Sequence, residues 1–257
     1  MEQVEEKTKG EVSLMTVTEI KWEPYVGEEI ITNITIRKGK KIHERAWYSD
    51  KVKAIPRGNA YIIGNGPSRK NFDLNKLKST GQTYGCNALY RDFIPDYIFS
   101  VDTKMTIEMC DNKVFDKCIH YAPSLEVNRK YSKNKLHLIP RNSYSISGNQ
   151  AIATACVHGH KNLYLIGFDF REYGKNTLNN IYENTKNYGD RNGDDIFEGW
   201  LKWFRDYLKK RPYVTFTIVH DNPPEFLHRL ETGYSIGNSS IITVSYTHLT
   251  LPTTRLV

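Results

Sequence analysis

From Ala54 onward the chain sets short apolar runs, each closing on a small or polar residue, between helical or loop stretches. Strands buried on both faces read as continuous apolar runs, so this rhythm predicts a parallel sheet with crossover helices. The runs are Ala60 to Gly64, Thr83 to Cys86, Tyr97 to Val101, Cys118 to Tyr121, Leu136 to Ile139, Leu163 to Gly167 and Thr215 to Val219. Helices are predicted at Ser147 to His158, where Ala151, Ile152, Ala155 and Cys156 share a face, and at Asp195 to Lys210, where Ile196, Trp200, Trp203 and Phe204 do. The second closes on Lys209-Lys210-Arg211, cations suited to the negative end of a helix dipole. The expected fold class is α/β, a doubly wound and mainly parallel sheet with flanking helices over residues 55–243.

Residues 1–54 have another texture. Polar alternation in Glu19-Ile20-Lys21-Trp22 and from Ile30 to Ile36 suggests short strands or extended arms, followed by the basic run Arg37-Lys38-Gly39-Lys40-Lys41. We expect a peripheral N-terminal extension. The last fourteen residues, Val244 to Val257, read VSYTHLTLPTTRLV and look like the in-frame translation of a sequencing adaptor. Such scars stay outside fold reasoning, and the expectation is a metagenomic fragment whose natural sequence continues past Thr243.

Composition narrows the class. At 257 residues with 39% hydrophobic and 25% charged positions, the chain suits a soluble globular domain that needs no disulfide scaffold. No apolar run reaches the roughly 18 residues of a membrane helix, and Met1 to Glu6 lack the features of a secretory signal, so a cytoplasmic location without a membrane span is expected. Cys86, Cys110, Cys118 and Cys156 show neither a CxxC pair nor zinc spacing. A formal charge of +7 favours polyanionic company, a nucleotide, nucleic acid or acidic glycan, or else simply a solvated surface.

Ligands of open parallel sheets bind beyond the carboxyl ends of the strands, so the residues following each run are the candidates. After the first comes Gly64-Asn65-Gly66-Pro67-Ser68, a glycine-bearing turn that a phosphate or ribose can approach closely. Arg69 stands where the dinucleotide fingerprint needs its third glycine. Asn65 and Asn87 each offer an amide that donates and accepts, fit for a base, a ribose or a sugar carboxylate. Asp102 closes the third run, and Ser145-Ile146-Ser147-Gly148-Asn149 opens the first predicted helix as a potential anion site. In Leu163 to Phe170, Asp169 can hold a ribose or act as a base, while Phe168 or Phe170 can stack on a base. Each of these also has an ordinary reading as turn, cap or core residue.

Together they resemble the bacterial sialyltransferases of glycosyltransferase family 42 and related phage and bacterial proteins of unassigned activity. The likeness spans about Ala60 to Val219. It rests on Ile62 to Ser68, on Cys86-Asn87-Ala88-Leu89-Tyr90, on Ser147-Gly148 opening a small-residue helix, and on Tyr164 to Phe170. The resemblance implies a single Rossmann-like domain that binds a cytidine monophosphate sugar without an obligatory metal or other cofactor. Its nucleotide-binding positions would be Gly64, Asn65, Gly66, Ser68, Asn87, Asp102, Ser147, Gly148, Phe168 and Asp169. The partners it implies are a nucleotide sugar and a glycan or other hydroxyl acceptor.

One departure stands out. Where the family places its catalytic histidine, this chain reads Asn187-Tyr188-Gly189-Asp190-Arg191-Asn192. A base for the acceptor hydroxyl then has to be Asp190, first by position, or Asp169, Asp102 or His220. Tyr173, Tyr182 and Tyr188, with Arg171, Lys175 or Arg191, can stabilise a departing phosphate from a polar, lid-like segment containing Gly174 and Gly189. The expected function is transfer of a sugar, sialic-acid-like by this resemblance, to a hydroxyl. The alternatives are a nucleotide-binding module that has lost catalysis and a phage protein that modifies nucleic acid.

Overall fold

The computed structural model describes residues 3–9, 12–23, 28–48, 58–123, 136–139, 146–169, 180–189, 194–220 and 241–244. The first part is an antiparallel meander in the order β1 (Gln3–Lys9), β2 (Val12–Glu23), β3 (Glu28–Arg37), β4 (Lys40–Tyr48). The strands are longer and better paired than the arms expected for the extension. Its basic run is a hairpin tip: Lys38 and Gly39 both take positive φ, 48° and 71°, the left-handed turn that matches strand twist.

The second sheet has eight strands, β5 (Asn59–Ile63), β6 (Gly81–Cys86), β7 (Tyr97–Phe99), β8 (Ile119–Pro123), β9 (His137–Ile139), β10 (Asn162–Ile166), β11 (Thr215–Val219) and β12 (Ile241–Val244). Their order is β12-β11-β10-β5-β6-β7-β8-β9, and every pairing is parallel. All seven predicted strands are present. The boundary expected at residue 243 falls inside β12, and residues 245–257 lie outside the described residues.

Alternation along the strands sorts side chains to two faces. Ala60 and Ile62 of β5 join a core with Ala151, Ile152 and Ala155 of α2 (Ser147–Val157) and with Leu201 and Phe204 of α3 (Asp194–Lys209). Tyr61 and Ile63 point the other way, to Leu89, Phe93, and Met105 and Met109 of α1 (Thr103–Asp111). Helices on both faces make this a three-layer, Rossmann-like α/β fold. α1 was not predicted. Met105, Ile107 and Met109 alternate like a strand, whereas the buried residues are Met105, Thr106, Glu108, Met109 and Cys110, only two of them large and apolar.

The chain enters the sheet at its middle, builds outward from β5 to β9, then returns to the other side of β5 with β10. This reversal opens a crevice past the carboxyl ends of β5 and β10, the usual place for a ligand in such sheets. Among the described residues no helix is long and apolar enough to cross a membrane.

Candidate functional site

The turn after β5 is sewn to the end of β10. Gly64 N–H donates to Ile166 O at 2.8 Å and Gly66 N–H to Gly167 O at 2.9 Å. A Cβ on Gly64 would lie 2.4 Å from the Gly167 carbonyl oxygen, and one on Gly66 2.4 Å from Asp169 Cγ. Both positions need glycine for this close approach of two strand ends, whatever ligand follows. The Asp169 carboxylate is occupied from the same side: Ser68 N–H donates to Oδ2 at 2.6 Å and Ser68 Oγ to Oδ1 at 2.5 Å. His220 Nε2 stands 3.6 Å from Oδ1. Arg69, in place of a third fingerprint glycine, is 3% exposed and donates from Nε to Gly64 O at 2.7 Å.

The two asparagines are oriented differently. Asn65 Nδ2 donates to Cys86 O and to Tyr188 Oη, both at 3.4 Å, and its backbone oxygen accepts from Ile181 N–H at 2.9 Å. Since Cys86 O can only accept, the Asn65 amide is turned with Nδ2 toward it. Asn87 sits at φ 52°, a left-handed backbone that asparagine tolerates, and its Oδ1 accepts from Ser147 Oγ at 2.8 Å. The Ser147 hydroxyl in turn accepts from Val101 N–H at 3.1 Å, tying the ends of β6 and β7 to the start of α2.

That start is open. Its capping position is Ile146, no side chain caps it, and no acidic residue lies in the first turn. The first intrahelical bond runs from Gln150 N–H to Ile146 O, so the N–H groups of Ser147, Gly148 and Asn149 find no partner among the described residues. Three donors without a partner among the described residues, at the positive end of a helix dipole, are suited to an anion. Its side chains are buried, Ser147 and Asn149 nearly completely.

Residues 180–189 cross over these strand ends as a strap. Tyr188 reaches inward, and its Oη accepts from Asn65 Nδ2 and from Ala88 N–H, each at 3.4 Å. With both acceptor directions used and no acceptor for its proton among the described residues, the phenol is left as a donor. Burial pushes its pKa far above the ordinary phenol value, so it stays protonated. The neighbouring Cys86 thiol is pushed up to about 12, also by burial, and is no thiolate nucleophile.

These pieces enclose a cavity of about 390 Å³. It is lined by nine of the sequence-predicted residues: Gly64, Asn65, Gly66, Asn87, Asp102, Ser147, Gly148, Phe168 and Tyr188. Ser68 and Asp169 do not line it; they hold each other behind the glycine turn. Tyr182 is directed away, donating to Asp92 Oδ2 and accepting from Arg69 Nη2. Asp190, Arg171, Tyr173, Lys175 and Arg191 lie outside the described residues.

The sequence reading did not nominate Met105, Asn180, Glu183, Asn187 and Trp200, which also line the wall. Only Trp200 carried a signal, as an aromatic on the cavity end of a predicted helix. Among the described lining residues the charged groups are Asp102 and Glu183, with no lysine or arginine. No group of three or more histidine, cysteine or carboxylate side chains able to hold a metal occurs among the described residues. The chain matches no protein-family model, no curated protein and no solved structure.

Proposed function

We propose that the cavity binds a nucleotide sugar by its phosphate and that the protein transfers the sugar to a hydroxyl acceptor. The observation that carries this reading is the convergence of the uncapped start of α2 with the donor-only hydroxyl of Tyr188 on one cavity wall system. Both offer hydrogens to a phosphate oxygen, and neither brings a full charge. One phosphate suits that supply better than a diphosphate would, since the described lining residues include no lysine or arginine. The resemblance to family 42 makes a cytidine monophosphate donor the first to test. Trp200 and Phe168 add aromatic surface for a base or a sugar ring.

In the proposed reaction the acceptor oxygen forms a bond to the anomeric carbon as the bond from that carbon to the phosphate oxygen breaks. Charge grows on the leaving phosphate, where the Tyr188 hydroxyl and the α2 amides stabilise it. The acceptor proton passes to a carboxylate. Asp190 remains the base that chain position favours; Asp102 and Glu183 are the carboxylates on the cavity wall. Asp169, with both oxygens engaged by Ser68, serves the turn instead.

Titration with cytidine, uridine and adenosine monophosphates, read by thermal shift, is expected to give saturable binding with cytidine preferred. Absence of saturation by all three would sink the reading. A fall in turnover of a cytidine monophosphate sugar in Tyr188→Phe that far exceeds its roughly tenfold loss of affinity supports transfer. Binding without turnover of any such donor would favour the lapsed module, to which the missing histidine between Asn187 and Asn192 points.

A further inference from the structure

The strap is held from outside by one buried carboxylate. Glu108 on α1 is 5% exposed and uses both oxygens. Oε1 accepts from Tyr90 Oη at 2.6 Å and from Arg91 Nε and Nη2 at 3.1 and 2.5 Å; Oε2 accepts from Asn187 Nδ2 at 2.6 Å. Arg91 continues outward, donating from Nη1 to Thr185 Oγ1 at 2.8 Å and from Nη2 to Lys186 O at 2.9 Å. Its guanidinium lies 5.6 Å from the ring centre of Tyr182 and 6.0 Å from that of Tyr188. Asn187 itself has φ 67°, a backbone that turns the chain directly before Tyr188.

We infer that Glu108 and Arg91 are positioning residues that seat Tyr188 on the cavity through residues 185–187. Every hydrogen bond they make with the strap falls on the three residues preceding Tyr188, and Arg91 also lies over the rings of Tyr182 and Tyr188. Glu108 is buried and Arg91 half-buried, so removing the guanidinium leaves a buried carboxylate without its charge partner. The clamp is therefore either closed, with the Tyr188 hydroxyl against Asn65 and Ala88, or broken, with that donor displaced. Its bearing on phosphate affinity rests on the function proposed above; the seating of the strap does not.

Glu108→Gln keeps the shape of the side chain but removes its charge and replaces one acceptor oxygen with a donor, so the charge-assisted bonds from Arg91 and the bond from Asn187 Nδ2 to Oε2 cannot persist as they stand. Amide hydrogen exchange in residues 185–188 of the free protein is expected to rise about tenfold, with β5 to β7 unchanged, as follows from losing one charge-assisted bond. Cytidine monophosphate affinity should fall about tenfold in the native background, and no further when Tyr188→Phe is already present. Arg91→Lys should not restore either property, since an ammonium cannot span Glu108, Thr185 and Lys186. Unchanged exchange in the strap, or losses that multiply in the double variant, would overturn the inference. Should Glu108→Gln fail to fold, Asn187→Ala removes only the strap's own bond, and unchanged exchange there overturns it equally. If native protein binds no nucleotide, the proposed function falls while the exchange measurements still decide the clamp.

Discussion

Two helices begin at the edge of the same cavity, and they begin differently. α1 is capped by Asp102, whose Oδ1 accepts from Lys104 N–H at 2.9 Å, while α2 starts at Ile146 with no side-chain cap. Two positive dipole ends thus face one space, but a carboxylate neutralises the first and the second stays unsatisfied. Glu183 is also on the wall, so the described lining combines two carboxylates with the uncapped start of α2. Under the proposed function the ligand places its phosphate at the start of α2. The contrast argues against reading every helix start as an anion site; what matters is whether the chain has already used the donors.

The comparison can be broken from either side. Acid is the largest lever and acts beneath both helices. His120 Nε2 shares the Ser100 hydroxyl at 2.7 Å, and that hydroxyl also meets Thr106 Oγ1 of α1 at 2.8 Å. Burial, then His137, lowers His120 from 6.5 to about 3; burial, then His158, lowers His160, which pairs with Gln82 past the end of α2, to about 4. The unfolded chain binds the extra protons, so stability is complete above pH 6.5 and falls as pH drops toward 3, at about 1.36 kcal/mol per unit for each such group. Urea midpoints across that range should fall accordingly, and His160→Gln should flatten the curve down to pH 4 if the account is right.

Next comes Ser147→Ala, which leaves Asn87 Oδ1 and Val101 N–H without their shared hydroxyl at the start of α2. A loss of about 1–3 kcal/mol is expected in denaturant unfolding, together with weaker phosphate binding. Ile146→Asp would give α2 the cap that α1 has. Thermal unfolding should show a gain of about 1 kcal/mol, and titration about tenfold weaker nucleotide monophosphate binding, because the new carboxylate takes the donors and repels the anion. If affinity is unchanged, the α2 start is not the anion site. Smallest is Asp102→Asn, which keeps an acceptor for Lys104 N–H: stability should move by a few tenths of a kcal/mol, and phosphate affinity should rise slightly as a negative charge leaves the wall.

Much of the fold was readable along the chain because β5 and β10 are near-continuous apolar runs, β6, β8 and β11 are short segments rich in aromatic and β-branched residues bounded by turn residues, and α2 and α3 have apolar positions at helical spacing. α1 was not, since its apolar residues alternate and its buried face borrows Thr106 and Cys110. The cradle residues Asn65, Asn87, Ser147 and Gly148 were nominated by their place after strands or before a helix, a rule of topology that needs no coordinates.

Roles were another matter. Asp169 looks like a catalytic candidate in one dimension, yet Ser68, 101 positions earlier, takes both its oxygens. Gly64 and Gly66 look like ligand glycines, yet the end of β10 already demands them. Periodicity and turn chemistry are local, so the order of residues alone settled the strands β5 to β11 and the helices α2 and α3, though not α1. Which donors remain unused is a property of the whole packed molecule: it depends on partners a hundred residues away, and only the assembled sheet brings those within hydrogen-bond reach.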